Sequence, residues 1–273
     1  MTPELSFQTQ LCISLAGRPG SFGTRFHNHL FQALELDYLY KAFTTTDLPA
    51  AIGGVRALGI RGCAVSMPFK EACVPLVDEL DPSAAAIGSV NTIVNTRGRL
   101  CAYNTDYLAV AALIRSHGVP ADVPVLLRGS GGMARAVAAA LRDAGFREGV
   151  IVARNRERGE ALAQEIGWRW QLEPPSTAGA LLVNVTPIGM ADGPEQDRLA
   201  FQPDLIAGVS TVFDVVARPA ETPLIRAARA AGRPVITGAE VITLQALEQF
   251  VLYTGVRPDP GLVQQAAALA LAP

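Results

Sequence analysis

The chain has 273 residues, with 23 Lys and Arg against 25 Asp and Glu, and a formal net charge of −2. Apolar residues make up 49% and charged residues 18%, which excludes a disordered chain, because disorder needs low hydrophobicity and high net charge. There is no basic excess to suggest nucleic acid, and no apolar run reaches the ~18 residues of a membrane span.

At roughly 150 residues per domain the length predicts two domains. The 25 Gly and 19 Pro suit a loop-punctuated α/β chain better than a helical bundle. Cys12, Cys63, Cys73 and Cys101 match no CxxC metal or redox spacing, and three of them sit in apolar runs as small hydrophobes. The opening MTPELSFQTQ has neither a basic n-region nor an apolar h-region. A soluble, reducing, cytoplasmic setting is the expectation. His27, His29 and His117 are scattered, so no metal site is expected.

The predicted elements begin with a strand at 11–16, closed by Gly17-Arg18-Pro19-Gly20. Apolar residues then recur at helical spacing over 23–36. A strand at 38–43 precedes a helix at 48–58 capped by Thr46–Asp47. The strand at 60–66 stops at Met67–Pro68, because Pro cannot donate to a ladder. A helix is expected over 70–77, and Arg97–Gly98 splits 90–95 and 99–103 into a hairpin. A helix at 106–116 follows. Strands at 123–128, 149–153, 180–185, 209–216 and 234–237 then alternate with helices at 132–144, 157–166 and 221–231. Short, fully apolar strands are typical of a buried parallel sheet. Helices at 240–253 and 260–271 end the chain. The reading is an α/β lobe at 1–103 and a doubly wound, Rossmann-type domain at 104–237. Periodicity leaves open where 238–273 packs.

The turn GSGGMARA joins a strand to a helix. Gly129, Ser130, Gly131, Gly132 and Ala134 form the pattern that lets backbone N–H groups approach a pyrophosphate at a helix N-terminus. A merely structural turn is the alternative. After the next strand the chain reads ARNRER. An NAD site usually carries Asp or Glu there, whereas Arg154, Asn155 and Arg158 suit a 2′-phosphate. NADP (NADPH) is therefore the expected cofactor. The alternative is a solvated row of arginines paired with Glu157 and Glu160.

Three polar clusters interrupt the first lobe: SMPFK with Lys70, SVNTIV with Asn91, and AYNTD with Asn104 and Asp106. A buried Asn must find partners, and a Lys beside an Asp can act as an acid/base pair. Taken singly, Lys70 reads as a surface lysine and Asp106 as a helix N-cap.

The motifs His27–Asn28, VSMPFK, AIGSVNTIV, YNTD, GSGGMARA, NVTPIGM, VFDVVARPAETPL and GAEVITLQA follow in that order. In this the chain strongly resembles the shikimate dehydrogenase family over residues 12–265. The resemblance implies two lobes, an N-terminal substrate lobe and an NADP-binding Rossmann domain, with 238–273 returning to the first. It implies Lys70 and Asp106 as the catalytic pair. Ser21, Thr24, Ser66, Asn91 and Gln245 would bind substrate, and Thr186, Val215 and Gly238 would line the nicotinamide. The implied reaction interconverts 3-dehydroshikimate and shikimate by hydride transfer, without metal, in a monomer or homodimer.

The sequence departs from the family pattern around the substrate. Of the family's two serines before HN, Ser21 matches the first and Gly23 stands at the second, with Thr24 and the cationic Arg25 adjacent. Ala217, Val241 and Ala64 replace a usual Tyr, Met and Asn. These changes resemble the shikimate dehydrogenase-like subgroup. They leave quinate, an aminoshikimate or another cyclic hydroxy-acid as alternative substrates, and a cofactor-binding sensor as an alternative role.

Overall fold

A computed structural model describes residues 5–175 and 178–272. Among them the chain divides into two compact units. One runs to Thr105 and resumes at Thr243; the other is Asp106–Ile242. The cuts fall two and five residues beyond the expected 103 and 237, within the first two turns of two helices.

The first unit carries β1 (Gln10–Leu15), α1 (Phe22–Ala33), β2 (Tyr38–Phe43), α2 (Leu48–Ala57), β3 (Gly62–Val65), β4 (Glu79–Leu80), α3 (Pro82–Ala85), β5 (Thr92–Thr96) and β6 (Arg99–Tyr103). Its six strands lie in the order β2-β1-β3-β5-β6-β4. The first three are mutually parallel, and β5 runs antiparallel to both β3 and β6. The β5–β6 hairpin turns at Arg97 (φ 54°) and Gly98 (φ 86°), the left-handed pair that a two-residue hairpin requires. Asp47 caps α2 by accepting from the Ala50 N–H at 3.0 Å.

The second unit follows with α4 (Thr105–Ser116), β7 (Val125–Arg128), α5 (Gly132–Asp143), β8 (Gly149–Val152), α6 (Arg156–Ile166), β9 (Arg169–Gln171), β10 (Leu181–Asn184), α7 (Pro203–Gly208), β11 (Thr211–Asp214), α8 (Pro223–Ala230) and β12 (Val235–Ile236). Its strands are ordered β9-β8-β7-β10-β11-β12, and every pair is parallel. Numbered within the unit this is 3-2-1-4-5-6, the doubly wound dinucleotide order, with its switch point between β7 and β10. The last elements are α9 (Gly238–Thr254) and α10 (Pro260–Leu271). From Thr243 they belong to the first unit, where Ala246, Phe250, Val263 and Ala267 share a core with Phe26, Leu30 and Phe31 of α1. Each of the larger side chains, such as Phe26, Leu30, Phe31 and Phe250, contributes about 1.5–3 kcal/mol relative to exposure.

Several expectations change. No α-helix covers 70–77; turns and a short 3₁₀ segment, Val74–Leu76, stand there. Pro75 has no N–H to continue a helix. The strands expected at 60–66 and 209–216 shrink to β3 and β11, since Val209 is the C-cap of α7. Four short elements, β4, α3, β9 and α7, lay below the length that periodicity resolves. Helix α4 starts at Thr105, so Asp106 sits in its first turn and is not the N-cap.

Candidate active site

In the first unit the loops after β1 and β3 lie side by side. The Ser66 N–H donates to the Leu15 carbonyl and the Gly17 N–H to the Met67 carbonyl, each at 2.9 Å. The Val65 N–H donates to the Asn91 carbonyl at 2.7 Å, and the Val90 N–H to the Lys70 carbonyl at 3.0 Å. Backbone bonds therefore bring Ser66, Lys70 and Asn91 to one edge of the sheet. That edge is the carboxyl end of β1 and β3, where α/β sheets take ligands.

Asn91 is buried, and its side chain is only half satisfied. Oδ1 accepts from the Thr105 N–H (2.8 Å), the Thr105 hydroxyl (3.1 Å) and the Thr92 hydroxyl (2.8 Å). Those bonds fix which way the amide faces. Nδ2 is left buried without a partner. An orphan donor of this kind costs about 1–3 kcal/mol, which an acceptor on a ligand would remove. Gln249, which the sequence reading missed, ties α9 to the same place. Its Nε2 donates to the Asn91 carbonyl at 3.3 Å and to Thr92 Oγ1 at 3.0 Å. The half-buried Gln245 is one turn earlier on the same helix face. A second glutamine four residues along an apolar helix was the available signal. Asn104, by contrast, is absorbed by structure: its amide donates to the Ser89 carbonyl at 2.9 Å.

Ser21 occupies the N-cap position of α1, but its hydroxyl makes no capping bond. Thr24 is half-buried within α1. Arg25 is no simple carboxylate cation, because its Nη1 donates to the Ala272 carbonyl beyond α10 at 2.7 Å. At Gly23 a Cβ would make a tight contact, 3.1 Å from the Tyr40 hydroxyl. Beneath lies His27, fully buried and stacked on Tyr40 with ring centroids 4.5 Å apart. Neither of its nitrogens has a hydrogen-bond partner; the Gln249 amide faces it outside bonding geometry. Burial pushes its pKa down to about 3.

In the second unit the glycine turn separates structural from vacant positions. Gly129 has φ +131°, and a Cβ there would meet Val185 at 2.8 Å, so packing and conformation both demand glycine. Gly131 and Gly132 differ: a Cβ at either would meet nothing within 4 Å. Neither has a positive φ. Protein contacts give no reason for glycine there, whereas a phosphate group approaching the first turn of α5 does. Ala134 is buried in α5 and packs that helix; Ser130 is half-buried in the turn.

At the end of β8 the arginines divide. Arg156 pairs with Glu160 at 2.9 Å and lies over Trp170. The exposed side chains of Arg154 and Arg158 have neither hydrogen bond nor ion pair among the described residues. Asn155 caps α6, its Oδ1 accepting from the Arg158 N–H at 2.9 Å. Two guanidiniums at a helix start without carboxylate partners suit an anion better than a paired surface row.

Beyond β10, Thr186 donates its hydroxyl to Asn184 Oδ1 at 2.6 Å, and the Val215 N–H donates to the Asn184 carbonyl at 3.0 Å. Gly238 is fixed by packing, since a Cβ would lie 2.3 Å from the Val216 carbonyl. These residues surround a network the sequence reading missed. Buried Asp214 accepts from Asn184 Nδ2 (3.0 Å), the Thr222 hydroxyl (2.7 Å) and the Val216 N–H (3.1 Å). Burial outweighs those bonds and lifts the Asp214 carboxyl to about 6. Asp106 is buried at the start of the unit, directly after Thr105. No cluster of metal-ligating side chains occurs among the described residues.

A family model for the shikimate dehydrogenase substrate binding domain matches residues 20–93. The chain is 55% identical over 262 residues to a shikimate dehydrogenase-like protein of Haemophilus influenzae, across 96% of this chain and 97% of that one. It matches the structure of a shikimate 5-dehydrogenase-like protein with a TM-score of 0.96 and 53% identity, covering 98% of this chain and 100% of that one. A shikimate 5-dehydrogenase of Thermus thermophilus, solved with NADP(H) and shikimate, matches with a TM-score of 0.85 and 33% identity over 96% of this chain and 100% of that one. With similarity of this degree running through both units, the chain belongs to the shikimate dehydrogenase family.

Proposed function

We propose that the chain is an NADP(H)-dependent oxidoreductase that interconverts 3-dehydroshikimate and shikimate. The observation that carries this reading is the orphan amide of Asn91, held beside Lys70 at the strand ends of the first unit. A buried donor with its carbonyl oxygen already committed suits a ring hydroxyl, and Gln245 and Ser66 supply further polar contacts at that edge. Ser21 and Thr24 are the hydroxyls available to a carboxylate. When bound, the nicotinamide supplies or accepts the hydride. Protonated Lys70 polarises the carbonyl, and Asp106 orients the hydroxyl and relays its proton. Gly129–Gly132 cradle the pyrophosphate, Arg154 and Arg158 take the 2′-phosphate, and Thr186, Val215 and Gly238 flank the nicotinamide.

Turnover on shikimate, quinate and an aminoshikimate, each with NADP and NAD, tests the reading. Shikimate with NADP is expected to give the highest kcat/KM. Lys70→Ala should lower kcat by about 10²–10⁴-fold while the NADP affinity stays within about twofold of wild type. Activity at the wild-type level in that variant would sink the mechanism. A second reading, another cyclic hydroxy-acid as substrate, rests on Gly23, which lacks the hydroxyl of a serine and where any side chain would crowd the Tyr40 hydroxyl. Higher turnover of quinate or the aminoshikimate would select it. Absence of turnover with every acid, alongside intact NADP binding, would instead indicate a cofactor-binding sensor.

A further inference from the structure

Arg128 is the last residue of β7, immediately before Gly129. In register it lies opposite Val152 of β8 on one side and Asn184 of β10 on the other. Strand alternation sends its side chain to the same face as Leu126, whose neighbours in the core include Val150, Val152 and Phe201. The guanidinium rests over the Phe201 ring, 5.1 Å from its centroid. Its Nε is buried with no hydrogen-bond partner, and the side chain forms no ion pair among the described residues.

Among the described residues no carboxylate forms an ion pair with this charge, and Glu173 attracts it only from a distance. Of the carboxylates within its field, Glu195 is taken by Arg198, and Glu173 is not within ion-pair distance. Arg154 and Arg198 add repulsion of like sign, and burial also lowers the proton affinity of Arg128 below its ordinary value. A half-buried cation on an apolar ring, facing other cations, is unfavourable in the bare protein. The same arrangement favours a bound polyanion, for which guanidinium geometry is suited. The anion has a definite place. Arg128 is level with Val152, two residues before Arg154, an offset of about 6.6 Å at the rise of a parallel strand, which an arginine side chain spans. The pyrophosphate already has the N–H groups of the glycine turn and α5.

We propose that Arg128 is a third arginine of the 2′-phosphate pocket, acting with Arg154 and Arg158 to select NADP(H) over NAD(H). This rests on the reading of Arg154 and Arg158 given above. The test is equilibrium titration of wild type, Arg128→Leu and Arg128→Gln with adenosine 2′,5′-bisphosphate and with 5′-AMP, two probes that differ only in the 2′-phosphate. In both variants the Kd for the bisphosphate should rise about 10–100-fold, the worth of a charge-assisted contact, and the Kd for 5′-AMP less than about threefold. The unliganded melting temperature should hold or rise, because an unpaired cation has been removed. Equal weakening of both probes, or no weakening, overturns the proposal. So does a lower melting temperature with selectivity unchanged, which marks a structural arginine. If wild type itself binds the two probes equally, the NADP reading fails first and the proposal with it.

Discussion

The two units prepare for ligands in opposite ways. The first offers side chains: at its strand ends the buried amide of Asn91 lacks a partner, and Lys70 and Ser66 share that edge. The second offers absent side chains and unpaired charge: Gly131 and Gly132 face open space, and Arg154, Arg158 and Arg128 form no ion pair among the described residues. On the proposed function, recognition of a small polyhydroxy acid needs directed hydrogen bonds at fixed points and would fall to side chains whose other contacts hold them rigid. Recognition of a dinucleotide needs backbone approach and diffuse positive charge and would fall to glycine and arginine.

The two units also answer acid differently, which gives the largest expected effects. The Asp214 carboxyl is raised from 3.8 to about 6 in the folded second unit. The native form therefore holds its proton more tightly than the unfolded chain, and stability falls as pH rises from about 4 to 6, by about 2 kcal/mol. His27 has the reverse sign. Its pKa is depressed from 6.5 to about 3 in the first unit, so its contribution is complete above about 6.5 and lost on acidification, about 2 kcal/mol by pH 5. Denaturant melts from pH 4 to 7 should show Asp214→Asn losing the first dependence and His27→Phe the second. Unchanged pH profiles would refute both assignments.

A smaller effect tests the polar side of the comparison. Asn91→Asp keeps the oxygen used by Thr92 and Thr105 and replaces the orphan donor with an acceptor. Its kcat/KM for shikimate should drop about 10–100-fold, while NADP affinity, a property of the second unit, stays put. An unaltered kcat/KM would remove Asn91 from the site. The smallest effect concerns the vacant side. Gly132→Ala, at the first residue of α5, should leave the helix as stable or slightly more so, since alanine is the better helix former, and should weaken NADP binding in isothermal titration. Binding no weaker than that of wild type would mean the open space is not the cradle.

What the sequence made legible depended on spacing along the chain. The glycine turn and the strand–helix alternation of the second unit are local patterns, and each led to the right elements. The expected helix over 70–77 failed because one proline outweighs an apolar tract. Gln249 escaped notice because its partners, Asn91 and Thr92, are distant in sequence. The Asn184–Asp214–Thr222 network joins three separate segments, so no single window contains it. Arg128 read as an ordinary strand end. Only its lack of a counter-charge sets it apart, and that is a property of three dimensions.

The hydrogen bonds of Gln249 and Arg61 have a consequence for how the chain is made. Arg61 donates to the Tyr253 carbonyl at 2.9 Å, and Gln249 holds the backbone of Asn91. The first unit is thus closed by residues made after the whole of Asp106–Ile242. At 5–20 residues per second, the ribosome takes on the order of ten seconds to produce that span. During that interval Phe26, Leu30 and Phe31 of α1 lack the cover that α9 and α10 give them in the finished chain, so the nascent N-terminal segment carries exposed apolar surface until the last two helices are made.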